Sequence, residues 1–320
     1  MRKHLLIYDR IWWIQGQRAL ILQKYHESLD IMSYHDLINL IKKIGAHKIN
    51  EAYEVISTLS LWSANALLKH NIRIDSSIAG SYSHFINNQN DFREWCDHVE
   101  PNELFVNEVL KKIKKVGAVN PKLSQTIKMI SPETNVKYVK SFVDSEKFKP
   151  LLLKKTNTNP IFTIGWVGNY SKLSKNYYTL YHEVKKAFEN NKNVKFVEAT
   201  KASRIPHENM PDFYRSLDLL LVTASNEGLP NPAMEAYSTG VPVLATNIGI
   251  IKEWATPKAK SLILDTDSPK EFVTKIKDLL NNREVLNGLK NELRMNILTH
   301  WQIQPNVQEW LSTLFEINKK

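Results

Sequence analysis

The chain has 320 residues, 42% hydrophobic and 24% charged, the balance of an ordinary soluble globular protein with room for one large core or two modest ones. A formal net charge of +10 points to an anionic partner, whether nucleotide, acidic glycan, phospholipid surface or nucleic acid, without choosing among them. No apolar run approaches the roughly 18 residues of a membrane span, and a single cysteine, Cys96, excludes an intrachain disulfide and reads as a passive core residue in a reducing compartment.

The opening MRKHLLIYDRIWW couples a basic start to a short apolar stretch. Asp9 and Arg10 interrupt it and no small-residue cleavage site follows, so a first β-strand explains it better than a signal peptide. Strands are expected at KHLLIYD, LDIMSY, YEVISTLSLW and IRIDSSIAGSY, with helical stretches such as QGQRALILQKYH between them. WWIQGQRA occupies the first strand-to-helix turn; its single Gly16 is a weak signal beside a Gly-rich fingerprint, and Trp12 and Trp13 read as core, with cleft wall and membrane-edge anchor as the alternatives. NELFVNEVLKKIKKVG predicts a helix with Leu104, Val109, Leu110, Ile113 and Val116 on one face and Gly117 capping its end. Lys111, Lys112, Lys114 and Lys115 then form a basic helix end, read as a solvated face complementing the helix terminus; docking on an anionic membrane is the alternative.

The polar, proline-bounded SEKFKPLLLKKTNTNP marks a boundary around residues 150–160. Beyond it the alternation is clearer: strand IFTIGWVG, a loop, a helix over NYYTLYHEVKKAFEN, strand VKFVEA, a helix around NMPDFYRSL, strand DLLLVTA, helix PAMEAYSTG and strand VPVLAT. That succession is one doubly wound unit. The expected division is an N-terminal acceptor-side Rossmann-like domain over 1–152, a C-terminal nucleotide-sugar domain over 153–300, and a C-terminal helix over 301–320 packing back on the first domain.

The chemistry concentrates in LLLVTASNEGLPNPAMEAYSTGVPVLATNIG. The strand ends at Ser225 and Asn226, Glu227 and Gly228 make the exit turn, Asn231 suits the N-cap and Pro232 the first helical position. Glu227 and Glu235 therefore flank the carboxyl end of a parallel strand and the start of a helix, where ligands bind in open α/β sheets and where free N–H groups can hold a diphosphate.

This stretch resembles the glutamate-x7-glutamate signature of the group-1 glycosyltransferases, a retaining family with the GT-B fold of two Rossmann-like domains facing across a cleft. The resemblance implies that Glu235 holds the ribose hydroxyls and that Glu227 lies near the donor sugar, with Gly228, Leu229, Pro230 and Asn231 lining the diphosphate. FTIGWVGNYSKLSKN resembles the family's phosphate loop. Gly168 then lets the backbone approach the phosphates, and Lys175 offsets charge on the leaving group. Asn169 stands where the family carries arginine, which leaves Lys172 as the second cation. IPHENMPDFYRSLDLLL, with Tyr214 and Asp218, resembles the helix before the ligand strand and puts Lys201 and His207 beside the base. NIGIIKEW resembles the following loop, with Ile250 for the usual second glycine, and VKSFVDSEKFKP the interdomain segment, ending at Phe148 and Pro150. In SSIAGSYSHF, His84 corresponds to a histidine placed beside the reacting sugar.

The family resemblance further implies a donor that is a UDP- or GDP-linked sugar, transfer without a metal cofactor, and a glycan, lipid-linked or protein acceptor. Surface polysaccharide synthesis in the cytoplasm, peripheral at the inner membrane face, is the matching setting. The aspartates of DTD, Asp265 and Asp267, mimic a metal motif but precede SPKE, a capping box with Ser268 at N-cap, Pro269 at N1 and Glu271 at N3. Competing readings are a nucleotide-sugar epimerase or phosphorylase on the same plan and a basic nucleic-acid-binding protein or DNA-modifying glycosyltransferase, for which no zinc spacing or recognition-helix motif speaks.

Overall fold

The computed structural model describes residues 3–96, 98–150 and 161–316; the division expected at 152/153, and most of the boundary segment around it, lies outside them. The chain forms two compact units, the first comprising Met1–Gln89, Val99–Ser141 and Gln304–Lys320, the second Asn90–His98 and Phe142–Ile303.

In the first unit the order is β1 (Lys3–Tyr8), α1 (Ile14–Lys24), β2 (Leu29–Ser33), α2 (Tyr34–Ile44), α3 (Ala46–Ala52), β3 (Tyr53–Thr58), α4 (Leu61–Leu68), β4 (Ser76–Ala79), α5 (Glu103–Glu108), β5 (Lys115–Ala118), α6 (Pro121–Ile130) and β6 (Val136–Tyr138). The six strands pair in parallel in the order β2-β1-β3-β4-β5-β6. Leu5, Leu6 and Ile7 are fully buried, the continuous apolar run of a strand covered on both faces. Between β3 and β4 the core is polar. The Ser57 and Ser76 hydroxyls lie 2.7 Å apart, one donating to the other, and the second proton goes to the Leu314 carbonyl, which lies within reach of both.

Four expectations fail here. The helix predicted over NELFVNEVLKKIKKVG stops at Glu108, passes through a 3-10 turn over Leu110–Lys112 and becomes β5. The buried VGAV run favours a central parallel strand over continued helix. Gly117 is therefore no cap but a strand residue, where a side chain would strike Ile78, Val139 and Thr313. The four lysines form no common face: Lys111 pairs with Glu133, Lys112 with Glu108, Lys114 with Asp75, and Lys115 donates to the Ser312 carbonyl. Trp13 is 41% exposed rather than core, and the Arg10 guanidinium lies over both its ring and that of Trp12.

The second unit runs β7 (Phe162–Gly168), a π-helical turn (Tyr177–Tyr181), α7 (His182–Lys186), β8 (Val194–Thr200), α8 (Met210–Arg215), β9 (Leu219–Val222), α9 (Asn231–Ser238), β10 (Val243–Thr246), α10 (Ile251–Trp254), β11 (Ile263–Leu264), α11 (Pro269–Asn281) and α12 (Glu284–His300). Its parallel sheet has the order β11-β10-β9-β7-β8. The chain steps from β7 outward to β8 and returns to the other side for β9, so β7 and β9 flank a topological switch point. α9 is buried along nearly its whole length and packs on α12. From α12, Arg294 donates to the carbonyls of Phe148, Ser238 and Ser145. The last helix, α13 (Ile303–Phe315), contributes its residues from Gln304 onward to the first unit, where the Trp310 indole donates to the Lys140 carbonyl. Among the described residues no helix is long and apolar enough to cross a membrane.

Cys96 is exposed, not core. The DTD aspartates are held by separate cations, Asp265 by Lys252 and Asp267 by Arg93. Ser268 does stand at the N-cap of α11 with Pro269 next, but its hydroxyl makes no cap hydrogen bond; the backbone carbonyl of Ser268 receives the Glu271 N–H instead.

Candidate functional site

Two loops meet at the switch point of the second sheet. The loop after β7 carries Gly168, Asn169, Lys172 and Lys175; the turn after β9 carries Glu227 to Asn231. Short polar ties zip them together. Thr223 donates through its hydroxyl to the Lys175 carbonyl at 2.7 Å, Ser225 N–H donates to the Ser174 carbonyl at 2.8 Å, and the Trp166 indole donates to Thr223 at 3.0 Å. The result brings the Lys175 ammonium to 2.5 Å from a Glu227 carboxylate oxygen, with the two side chains 17% and 13% exposed. Burial opposes ionisation of Glu227, but the charges of Lys175 and Lys172 together with the Lys175 hydrogen bond outweigh it and hold its carboxyl below the ordinary range.

Gly168 lies against the ring of Trp166, so any side chain there would strike the indole as well as crowd the loop. Asn169 is exposed and its side-chain oxygen caps the loop by accepting the Ser171 N–H. Gly228, Leu229 and Pro230 are buried. Helix α9 starts one residue earlier than the sequence implies: Pro230 takes the N-cap place, and Asn231 is the first helical residue, its side-chain amide donating to the Leu229 carbonyl. A proline at the cap and another at position 232 leave fewer free N–H groups than an Asn-capped start offers.

One turn into α9, Glu235 faces a second cluster. The buried Tyr214 hydroxyl donates to it at 2.7 Å, and His207 Nε2 lies 3.9 Å from its other oxygen. Burial, then the charge and hydrogen bond of Glu235, push the Tyr214 phenol well above its ordinary value, so it stays a donor. Lys147 contacts His207 Nδ1 at 2.6 Å, and Phe148 packs edge-on against both His207 and Tyr214. Burial lowers the Lys147 ammonium, partly offset by Asp144, Glu235 and Glu208. His207 Nε2 is buried with no hydrogen-bond partner among the described residues, although it lies beside a carboxylate. Lys201 is exposed in the turn after β8 and makes none of these contacts. Sequence reasoning missed Lys147, and it assigned Tyr214 no role. The burial of an aromatic hydroxyl opposite the second glutamate depends on helix α8 and leaves no local sign.

The first unit has its own crevice at the carboxyl ends of β1, β3 and β4, a cavity of about 200 Å³ lined by Asp9, Ser60, Trp62, Ser83 and His84 among others. His84 sits there with φ +83°, its ring stacked on Phe105 and its carbonyl accepting from Asn102. Burial raises the Asp9 carboxyl, and Arg10 and His35 only partly counter it. Gly16 at the head of α1 is required by packing: a side chain there would collide with the backbone of Arg10 and Ile11 in the loop that leads into the helix.

Residues 119–295 match the family model described as glycosyl transferases group 1. The chain is similar to the lipopolysaccharide core biosynthesis mannosyltransferase LpsB of Rhizobium meliloti, 35% identical over 103 residues that make up 30% of this chain and 29% of that protein. It is also similar to the D-inositol 3-phosphate glycosyltransferase of Thermobispora bispora, 26% identical over 84 residues, 26% of this chain and 20% of that one. The chain thus matches under a third of the length of these curated relatives. Among solved structures, sucrose-phosphate synthase from Thermosynechococcus elongatus superposes with a TM-score of 0.73 over 97% of both chains at 12% identity. Anabaena HepE in complex with UDP-glucose superposes with a TM-score of 0.67 over 98% of this chain and 99% of that one at 13% identity. At such identities these two show a shared fold, the GT-B fold, with its pair of parallel α/β sheets. With more than half of its length matched by the family model, the chain belongs to the group 1 glycosyltransferases.

Proposed function

We propose that the chain is a retaining glycosyltransferase that moves a sugar from a nucleoside diphosphate to a hydroxyl acceptor. The observation that carries the reading is the division of labour along the Glu227–Glu235 stretch: one carboxylate is paired to a loop lysine, the other is held by a neutral phenol beside a buried histidine nitrogen with no partner among the described residues. Glu235 accepts the ribose hydroxyls, and His207 Nε2 takes a ligand oxygen in the gap beside it. Lys175 and Lys172 meet the diphosphate. Their charge grows in value as the sugar–phosphate bond breaks and its electron pair moves to phosphate oxygen. The acceptor oxygen bonds the anomeric carbon on the face the phosphate leaves, and its proton passes to the departing phosphate oxygen, so configuration is retained. Glu227, already paired with Lys175, serves by holding the sugar and the lysine in register and not as a nucleophile.

The crevice of the first unit suits a hydroxyl-rich acceptor: it is lined by serine hydroxyls, the Trp62 indole and the Asp9 carboxyl, which can accept hydroxyl hydrogens. Surface polysaccharide or glycoconjugate synthesis fits such an acceptor. Two lysines at the phosphate loop supply the positive charge that a divalent ion supplies elsewhere, so transfer persists in a chelator. Loss of transfer on chelation would overturn that part. The test of the whole is thermal unfolding against a panel of UDP- and GDP-sugars, followed by transfer from the stabilising donor. One donor should raise the melting temperature and be consumed only with acceptor. Turnover of the donor alone would identify an epimerase, and a panel without effect would refute the donor site.

A further inference from the structure

Segment Asn90–His98 belongs to the second unit yet lies outside the residues matched by the family model, and nothing in its sequence marks it as functional. It is stitched into the two turns that build the Glu227 site. Glu94 N–H donates to the Ser225 carbonyl at 3.1 Å, and the Asn226 side chain donates to the Phe92 carbonyl at 3.0 Å. Arg93 pairs with Asp267 at 2.7 Å. At the centre, the Glu94 side chain, 4% exposed, accepts the Glu227 N–H on one oxygen at 2.7 Å and the Gly249 N–H on the other at 2.6 Å.

Those two amides open adjacent turns, one after β9 and one after β10, which touch. Gly249 has φ +56°, and a side chain there would come within 2.7 Å of Pro230 and 3.3 Å of the Glu227 carbonyl. The two amides converge on separate oxygens of one carboxylate, which accepts both and offers no competing donor. A glutamine presents an oxygen to one amide and an NH2 to the other, donor against donor.

We propose that Glu94 is a positioning residue for the transfer reaction: by clamping the Glu227 and Gly249 amides together it fixes the turn that aims the Glu227 carboxylate at the donor sugar. This rests on the donor reading above. Glu94 touches neither donor nor acceptor; it acts through the peptide N–H of the residue that does. The nucleotide end of the site is built on contacts of its own, among Glu235, Tyr214 and His207, so an effect confined to the Glu227 end is separable from that of a general structural prop.

The experiment compares wild type, Glu94→Gln and Asp267→Asn as full chains, reading amide hydrogen exchange and steady-state transfer or hydrolysis with UDP-glucose and GDP-mannose as probes. In Glu94→Gln, exchange at Glu227 or Gly249 accelerates while the amides of β9 and β10 keep their protection. kcat falls roughly tenfold to a hundredfold, the range expected for misaligned reacting groups, and KM for the donor stays within about twofold. Asp267→Asn, which frees Arg93 but keeps the clamp, leaves kcat within about twofold. If Glu94→Gln does not fold, Glu94→Asp, charged but a methylene too short to span both amides, must show the same split. Unchanged exchange, unchanged kcat despite faster exchange, a parallel rise in KM, or an equal loss in Asp267→Asn each overturns the proposal. A wild type that uses neither donor overturns the donor reading instead, and is recognised because the failure then precedes any mutation.

Discussion

The two sheets of this protein share a topology and differ in electrostatics. Each places its second strand outside its first and its third on the far side, so each opens a crevice at the carboxyl ends of its strands. In the second unit the crevice carboxyl, Glu227, is held below its ordinary range by lysines; in the first, Asp9 is raised by burial that Arg10 and His35 do not cancel. Nearby lysines favour a charged carboxyl in one crevice, and burial disfavours it in the other. Topology thus fixes where a site can be, and the loop side chains decide what it takes.

The comparison is broken most forcefully at Lys175. Lys175→Met removes the partner of a carboxylate that is nearly enclosed. We expect stability to drop by about 3 kcal/mol in denaturant unfolding and kcat to fall about 10²- to 10³-fold, as for loss of one donor to a developing anion. The double variant Lys175→Met/Glu227→Gln should regain much of the stability and none of the activity. A double variant as unstable as the single one would show that the pair is not the source of the loss.

Glu235→Ala comes next. It deletes the proposed ribose ligand and strands the buried Tyr214 hydroxyl, so nucleotide affinity should weaken about 10- to 100-fold in calorimetry while unfolding stays cooperative. Affinity like that of wild type would remove Glu235 from the site. Gly249→Ala should cost about 1–3 kcal/mol, since it combines a left-handed φ with a contact against Pro230. A structure of that variant should show the Glu227 turn displaced; an undisturbed turn would separate the two loops.

The architecture was legible because parallel strands announce themselves: LLIY, FTIGWVG and LLLV are apolar runs at the right spacing, with turn residues between them. The Glu227–Glu235 spacing was legible for a similar reason, since strand, turn and helix all lie within one continuous stretch. What stayed hidden is held by contacts across long sequence distances. Glu94 meets Glu227 from 133 positions away, and Lys147 meets His207 from 60, so neither carries a local pattern. The lysines at 111–115 misled because charge alternation resembles a helix face, whereas the VGAV that follows is sheet core. Gly117 shows the cost of reading a glycine as a cap when its neighbours demand a strand.

The smallest expected effect tests the electrostatic contrast most directly, because the two carboxyls should answer pH with opposite signs. Glu227 has a folded pKa below its unfolded value of 4.5. Its ionised form therefore contributes stability that is fully present above that unfolded value and is lost as pH falls through the lower folded one. Asp9 has a folded pKa above its unfolded value of 3.8, so ionisation costs stability, a cost absent below that value and complete once pH has risen past the folded one. Asp9→Asn should then raise the melting temperature at pH 7 by roughly a degree, with the gain fading as pH falls toward the unfolded value. Glu227→Gln should lower it at pH 7, with the deficit closing only at more acid pH. If both variants shift the melting temperature in the same direction at pH 7, the two carboxyls do not differ in the way their surroundings imply.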